Sequence, residues 1–273
     1  MMFSFKALVE KKNGPLVMGI LNITPDSFSD GGEFNGLSSA LERLNRLYEE
    51  GADIIDIGAC STAPDNTIVS VEEELKRLEI LSELVKSAKV PLSIDTFRPE
   101  VAKFALENGV SIINDESGAF DPAMAKIVKE CNAGWIFMHT GGNSSKEATV
   151  YENGVVEAVV DFFNDMKTKA VAFGINEDSL CYDCGIGFGK TRNDDIELLR
   201  NCKALSQYSP LLIGVSRKRV IGELTGEKNP KDRVAGSVAA AVCCAKNGAG
   251  VLRVHDVKET VDAIKVSSIL YNI

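Results

Sequence analysis

The sequence predicts an α/β fold, a single (β/α)8 TIM barrel over residues 1–273 with a short N-terminal hairpin that closes the barrel floor. Short β-branched runs alternate with longer segments of helical periodicity along the whole chain, which is typical of parallel strands joined by crossover helices. Eight such units can be counted, and no linker or low-complexity tract interrupts them. The chain length of 273 residues also suits one barrel, which usually needs about 250.

The predicted strands are short, and a helical pattern follows each of them. In chain order they cover residues 17–22, 54–59, 92–96, 112–115, 135–139, 180–183, 211–216 and 251–255. Ser70 with Glu73 predicts a capping box at one helix start, and Asp121 before a proline predicts another. Glycines that can end a helix with a positive φ precede later strands, at Gly51, Gly109, Gly134 and Gly248.

Composition and charge exclude several classes of protein. The formal net charge of −9 argues against a partner rich in phosphate, whether nucleic acid or membrane surface. The N-terminus lacks the apolar run of a signal peptide, and the apolar stretch 234–245 is shorter than the ~20 residues of a membrane span. The seven cysteines do not supply the paired CxxC motifs of a zinc site. We therefore expect a cytoplasmic protein without nucleic-acid or membrane partners.

Polar residues collect at the carboxyl ends of the predicted strands, where barrel enzymes place their active sites. They are Asn22, Asp56, Asp95, Asn114, Asp115, His139, Asp183, Ser216, Arg217, Lys218, Arg253 and His255. For any one of them, a simple helix-capping role is about as common as a functional role. The convergence of all of them on one mouth is what predicts an active site.

Two loops at this mouth are rich in glycine and small polar residues. The segment 18–32, MGILNITPDSFSDGG, predicts a strand followed by a connector or a lid. The segment 183–191, DCGIGFGKT, looks like a phosphate loop, but Cys184 and Lys190 stand where the two phosphate-loop patterns need glycine. Its glycines therefore predict close backbone approach to a flat ligand or to another loop.

Basic residues follow the last two strands. Lys218 is a candidate mouth cation, whereas Arg219 is predicted to be solvated. Arg253 and His255 alternate along one strand, so they point to one side and suit a phosphate or pyrophosphate clamp. With two histidines in the chain a catalytic zinc is not expected, while a hard oxygen ligand such as Asn22 suits Mg²⁺ shared with phosphate oxygens.

Over essentially the whole chain these residues resemble the dihydropteroate synthase family. The matching motifs, in the family's order, are MGILNITPDSFSDGG from Met18, SIDTF from Ser93, IND from Ile113, DCGIGFGKT from Asp183, GVSRKRVIGELTG from Gly214 and LRVHDV from Leu252. The resemblance implies a transferase of folate biosynthesis. Such an enzyme condenses 6-hydroxymethyl-7,8-dihydropterin pyrophosphate with p-aminobenzoate to 7,8-dihydropteroate and pyrophosphate and uses Mg²⁺. The resemblance also implies a homodimer, which we expect to form through the last helices.

The resemblance also implies roles for particular residues. The pterin would contact Asp95, Asn114, Met138, Asp183 and Lys218. The pyrophosphate would contact Asn22, Arg253 and His255, with Asn22 also a ligand of Mg²⁺, and p-aminobenzoate would contact Thr62, Phe188 and Ser216. Asp95, Lys218, Arg253 and His255 would carry catalysis. No direct role is assigned to His139.

The chain departs from the family pattern in its second loop and after its sixth strand. Ala63 stands where the family commonly has an arginine, with Asp65 nearby, which predicts weaker anion affinity or an altered sulfonamide response. Cys184 replaces a usual proline and should loosen that turn. Two alternatives stay open: a methyltetrahydrofolate-type methyltransferase domain, which does not need the basic sites after the last two strands, and a non-catalytic pterin-binding paralogue.

Overall fold

The structure is a computed structural model that describes residues 2–23, 32–59, 69–142, 148–208 and 210–271, without the side chains of residues 32–35 and 271. In these ranges eight parallel strands form one closed barrel in sequence order. They are β1 (Leu16–Asn22), β2 (Ile54–Gly58), β3 (Leu92–Asp95), β4 (Ile112–Asp115), β5 (Gly134–Met138), β6 (Leu180–Asp183), β7 (Leu211–Ile213) and β8 (Val251–Val254). The predicted barrel and its strands are confirmed, although β7 is shorter than predicted.

Helices surround the barrel. Within the described ranges they are α1 (Phe5–Lys12), α2 (Gly32–Glu49), α3 (Val71–Arg77), α4 (Leu81–Ser87), α5 (Pro99–Glu107), α6 (Pro122–Cys131), α7 (Val155–Phe173), α8 (Arg192–Arg200), α9 (Cys202–Leu205), α10 (Arg219–Thr225), α11 (Val234–Lys246) and α12 (Val257–Tyr271). A continuous apolar core lies between helices and strands. None of the helices in the described parts of the chain has the length and apolar character that a membrane crossing needs.

The predicted N-terminal hairpin is wrong, because these residues form α1. The Ser4 hydroxyl accepts a hydrogen bond from the Ala7 N–H at 3.1 Å, which caps the helix, and Asn13 ends it in the left-handed conformation with φ 54°. Phe5 is fully buried and joins the apolar residues at the lower end of the barrel interior. A helix therefore closes the barrel floor, where a hairpin was expected, and Phe5 of this helix fills the lower end of the barrel interior.

The helix boundaries follow most of the predicted signals. Ser70 caps α3 through the Glu73 N–H at 3.2 Å, but the Glu73 carboxylate pairs with Arg77 at 2.9 Å, so only half of the capping box forms. Asp121 caps α6 as predicted. Gly134 is not a helix terminus but the first residue of β5, where a Cβ would lie 2.6 Å from the Phe3 ring. Another residue, Asn132, takes the left-handed position at the end of α6.

The barrel interior has two layers of opposite chemistry. Because side chains alternate along a strand, every second residue points inward. The lower layer is apolar and consists of Phe5, Leu16, Met18, Ile54, Ile112, Ile136, Cys181, Leu212 and Val251. Two residues further along five of these strands stand Asp56, Asn114, Met138, Asp183 and Arg253. The fold thus brings three of the predicted pterin residues, Asn114, Met138 and Asp183, to the inner wall of the mouth.

Candidate active site

A hydrogen-bonded network of charged groups spans one side of the mouth. Asp56 is fully buried, and its Oδ2 accepts from Arg253 Nε at 2.7 Å and from Asn114 Nδ2 at 3.1 Å. Arg253 Nη2 donates to Asp95 Oδ2 at 2.6 Å. One arginine therefore bridges two carboxylates, in the short, charge-assisted geometry that a guanidinium favours.

This network changes the ionisation of its members. Burial raises the pKa of Asp95 well above its ordinary value and Glu116 adds to the effect, whereas Arg253 opposes it. Burial alone would lower the pKa of Arg253, but Asp56 and Asp95 outweigh it and the pKa is raised. Arg253 is therefore a permanent cation that faces the carboxylates of the mouth. Asp56, counted only as a strand-end residue in the sequence, is the centre of the network.

Three buried oxygens on this wall have no hydrogen-bond partner among the described residues: Asp56 Oδ1, Ser93 Oγ and Asp95 Oδ1. Each unpaired buried acceptor costs about 1–3 kcal/mol relative to a satisfied one. The carboxylate oxygens can only accept hydrogen bonds when ionised, so they suit a ligand that offers several N–H donors. This wall is therefore prepared for a flat, donor-rich heterocycle.

The other side of the mouth carries Asp183 and Lys218. A Cβ on Gly214 would lie 3.9 Å from both Asp183 Oδ2 and Lys218 Nζ, which places the two charges beside the same residue. Burial raises the pKa of Asp183 and lowers the pKa of Lys218, and each charge opposes the shift of the other. Arg253 also lowers the pKa of Asp183, so these residues share one electrostatic environment.

Lys218 is held in place by the glycine-rich loop. Its Nζ donates to the Ile186 carbonyl at 2.6 Å and lies 4.6 Å from the centroid of the Phe188 ring. Met138 pairs in register with Asp183 and is buried on the inner wall. The predicted pterin residues, together with Phe188, therefore meet at one mouth.

The loop from Gly185 to Gly189 packs against the end of β5. Its glycines were predicted to approach either a flat ligand or another loop, and the structure shows the approach to another segment of the chain. Gly185 has φ 64°, and a Cβ there would lie 2.0 Å from the His139 carbonyl oxygen. Lys190 is 1% exposed and donates to three carbonyls, those of His139 at 3.0 Å, Gly185 at 2.9 Å and Phe188 at 3.1 Å. Burial lowers its pKa to about 8. This role of Lys190 was not predicted, because in the sequence the residue stands out only as a mismatch to phosphate-loop patterns.

A cavity of about 360 Å³ opens beside the mouth, with polar lining residues Asn22, Ser39, Arg43, Arg217 and His255. The His255 ring stands beside Ser216, with 3.2 Å between Nδ1 and Oγ, and the same hydroxyl accepts from the His255 N–H at 3.2 Å. Burial, Arg217 and Arg253 lower the pKa of His255 to about 4. The imidazole is therefore neutral at pH 7 within a cationic cavity.

Two of the three predicted pyrophosphate residues, Asn22 and His255, lie in this cavity. The third, Arg253, turns toward Asp56 and Asp95. Arg217 has φ 59° and donates to both carboxylate oxygens of Asp256 at 3.0 and 2.5 Å.

Two other polar residues at the strand ends, Asp115 and His139, make contacts outside the network of the mouth. Asp115 points out of the barrel and accepts from the Trp135 indole N–H at 3.2 Å. His139 is buried beside Phe162, and burial lowers its pKa to about 3. Arg219 is exposed, as predicted. Thr62, Ala63 and Asp65 lie outside the described residues, as does most of the predicted lid.

The described residues contain no group of three or more His, Cys, Asp or Glu side chains that could hold a metal ion. Asn22 at the end of β1 offers one amide oxygen beside Arg43, Arg217 and His255 in the same cavity. This arrangement suits Mg²⁺, which keeps several waters and needs only one or two protein ligands when it shares phosphate oxygens.

A larger cavity of about 540 Å³, lined in part by Lys6 and Tyr208, contains none of the predicted site residues.

Fold and mouth together define a barrel enzyme that binds a flat heterocycle beside an anion, and comparisons with known proteins agree. The family of pterin binding enzymes matches residues 18–255. A dihydropteroate synthase of Synechocystis sp. is 40% identical over 259 residues, which are 93% of this chain and 90% of that protein.

Solved structures give the same result. The dihydropteroate synthase of Xanthomonas albilineans with 4-aminobenzoic acid is 44% identical, with a TM-score of 0.89 over 95% of this chain and 94% of that chain. The Xanthomonas albilineans synthase in complex with 7,8-dihydropteroate is 38% identical, with a TM-score of 0.83 over 95% and 94% of the two chains. The chain therefore belongs to the pterin binding enzymes and, within them, to the dihydropteroate synthase family of transferases in folate biosynthesis. These comparisons do not support the methyltransferase alternative or the non-catalytic one.

Proposed function

We propose that the mouth condenses 6-hydroxymethyl-7,8-dihydropterin pyrophosphate with p-aminobenzoate to 7,8-dihydropteroate and pyrophosphate. The observation that carries this proposal is the wall of unpaired buried acceptors on Asp56, Ser93 and Asp95, opposite the Asp183 and Lys218 charges. A reduced pterin is flat, has several N–H donors and has a carbonyl that a lysine can contact, so its chemistry complements both sides.

The pterin ring would lie between the two walls. Asp183 and Asn114 would receive its amino-pyrimidine edge, Lys218 its carbonyl side, and Asp95 the ring face nearer to Arg253. Met138, which pairs in register with Asp183, would offer an apolar surface to the ring. The three unpaired oxygens would gain partners on binding, so the cost of leaving them unpaired in the free protein favours the bound state.

The reaction is a displacement at the exocyclic methylene of the pterin. The bond from this carbon to the diphosphate oxygen breaks, the electron pair leaves with pyrophosphate, and the amine nitrogen of p-aminobenzoate forms the new bond and loses a proton. The Asp95 carboxylate would stabilise positive character at the methylene, and Arg253 and His255 the charge on the leaving group. A covalent protein nucleophile is not required.

The leaving pyrophosphate would enter the cavity that Asn22 and His255 line. Asn22 would hold Mg²⁺, which would supply positive charge beside the leaving group. Phe188 and Ser216 would orient p-aminobenzoate beside Lys218, together with Thr62. Each of these roles is supported by position at the mouth, or for Thr62 by family resemblance.

The most direct test combines the pterin pyrophosphate, Mg²⁺ and the protein, with and without p-aminobenzoate. We expect pyrophosphate release and 7,8-dihydropteroate formation that both depend on the amine, measured by a coupled pyrophosphate assay and mass spectrometry. Absence of dihydropteroate, with the protein folded by circular dichroism, would overturn the proposal.

A homodimer is also proposed, through the outer face of α11 and α12, which pack against each other. On α12 the side chains of Val266, Ile269 and Leu270 are 58%, 81% and 69% exposed. Ala239 and Cys243 on α11 are exposed as well. An exposed apolar patch of this kind marks an association surface. Ile269→Asp should shift the sedimentation coefficient from dimer to monomer, and a wild-type monomer would contradict this.

We also propose that the protein acts in the cytoplasm. The described cysteines, including the exposed Cys131 and Cys243, are free thiols, which suits a reducing compartment. Cell fractionation should place the protein with cytoplasmic markers rather than with the membrane fraction.

A further inference from the structure

Arg43, on α2, reaches the cavity assigned above to the leaving pyrophosphate. Its Nη2 donates to the His255 carbonyl at 3.2 Å, which fixes the guanidinium beside the predicted clamp residue. Ser39, four residues earlier on the same helix, lines the same cavity. Residues four apart lie on one helix face, so α2 presents a hydroxyl and a guanidinium to this space.

The two arginines of the cavity differ in how far their charges are neutralised. Arg217 makes two hydrogen bonds to the Asp256 carboxylate, at 3.0 and 2.5 Å. Among the described residues the acidic partner of Arg43 is Glu50, with 3.7 Å between Nη1 and Oε2. Glu50 itself pairs with Arg46 at 2.6 Å between Nε and Oε1. Within the described ranges the carboxylate contact of Arg43 is therefore long, and another arginine already binds that carboxylate closely.

A guanidinium with excess positive charge, at the edge of a cavity that also holds an amide, a hydroxyl and a neutral imidazole, suits a polyanion. Its side chain is 34% exposed, so it retains access to an incoming ligand. Guanidinium groups bind phosphate oxygens through two parallel N–H donors, and such contacts are stronger than those of neutral donors.

We propose that Arg43 binds the pyrophosphate of the substrate and product, as an anion-binding residue contributed by α2. The inference rests on the proposed function and adds a residue to its leaving-group site. No single residue of the barrel strands would then have to neutralise the diphosphate, and Arg253 could keep its two carboxylate partners.

The test compares Arg43→Gln with Arg46→Gln. Arg46 lies three residues further along α2 and pairs with the same Glu50, but it does not line the cavity. Isothermal titration with magnesium pyrophosphate should show about tenfold weaker binding for Arg43→Gln, and near wild-type binding for Arg46→Gln. Arg43→Lys should fall between wild type and Arg43→Gln, because it keeps the charge and loses the fork of donors.

A further measurement separates a direct contact from a structural effect. The affinity for 6-hydroxymethyl-7,8-dihydropterin, which has no diphosphate, should be unchanged in Arg43→Gln. An equal loss of affinity for this pterin would point to a disturbed mouth and would overturn a direct contact.

The inference is overturned if Arg43→Gln binds pyrophosphate as tightly as wild type, or if both glutamine variants lose affinity equally. The failure of the proposed function looks different, because wild type would then form no dihydropteroate. If Arg43→Gln fails to fold, judged by thermal melting, Arg43→Lys decides the question: unchanged pyrophosphate affinity in that variant would reject the contact.

Discussion

The floor and the mouth of the barrel interior are built from the same strands and differ in polarity. At the floor, Ile54, Ile112 and Ile136 pack into an apolar layer with Phe5. At the mouth, two residues further along two of those strands, Asp56 and Asn114 form a charged and partly unpaired network. A buried acceptor without a partner lowers the free energy of unfolding, so a ligand that supplies N–H donors to these oxygens would be bound favourably.

This contrast teaches that stability and function are separated along the barrel axis. Close packing at the floor holds the strand ends in place, and the strand ends can then carry groups that would destabilise a domain by themselves. Changes at the mouth should therefore affect turnover more than folding, and changes at the floor the reverse.

The largest effect is expected for Lys218→Met, which removes the mouth cation and keeps a long side chain over Phe188. Removal of one preorganised charged donor from an active site typically costs about 10²–10³ in kcat. We expect a loss of this size in dihydropteroate formation, with a change in melting temperature of only a few degrees. Near-normal turnover would show that the mouth is assigned wrongly.

Ile136→Ala tests the floor. This side chain is fully buried in the lower layer, and truncation of such a residue costs about 2–5 kcal/mol. The free energy of unfolding, measured with urea, should fall within this range while kcat of the folded enzyme stays within about twofold. A kcat loss that matches Lys218→Met would break the separation between floor and mouth.

His139→Phe tests whether the buried histidines limit stability in acid. The pKa of His139 is lowered from 6.5 to about 3, so between these values the unfolded chain binds a proton that the folded chain does not. The free energy of unfolding of the wild type should therefore fall as pH falls from 7 to 4. In His139→Phe this decrease should be smaller by roughly 2–3 kcal/mol. Parallel stability curves for wild type and variant would reject this cause.

The smallest effect is expected for Lys190→Met. Lys190 acts as a positioning residue, because its three carbonyl partners fix the loop whose Ile186 carbonyl receives Lys218. We expect kcat to fall about tenfold, since small misplacements of a catalytic group are costly, with pyrophosphate affinity unchanged. The control is Lys169→Met, on an exposed lysine of α7, which should leave kcat unaltered. Equal kcat in both variants would exclude the positioning role.

Strand positions could be predicted because short β-branched runs alternate with longer helical segments, and the inward-facing residues because side chains alternate with a period of two along a strand. The place of Asp95, Asn114, Asp183 and Lys218 at one mouth follows from that period and from barrel closure. The direction of a long side chain does not, so the sequence did not predict that Arg253 contacts Asp56 and Asp95. Its predicted contact with pyrophosphate stays a prediction.

Features that depend on contacts between distant segments were missed. Arg43 reaches its cavity from a helix, and no local pattern in α2 marks it. Lys190 is a buried lysine whose partners are backbone carbonyls of two loops, and carbonyls carry no sequence signal. The N-terminal hairpin was expected only because residues 1–16 lie outside the eight strand–helix units. Ser4 and the spacing of Phe5, Leu8 and Val9 fit a capped helix instead.

A crystal structure with bound 6-hydroxymethyl-7,8-dihydropterin tests the central claim most directly. We expect the ring between the Asp95 and Asp183 walls, with ring N–H groups about 2.7–3.2 Å from carboxylate oxygens that lack partners in the free protein. A ring bound outside the mouth, or one that leaves Asp56 Oδ1 and Asp95 Oδ1 both unpaired, would contradict it.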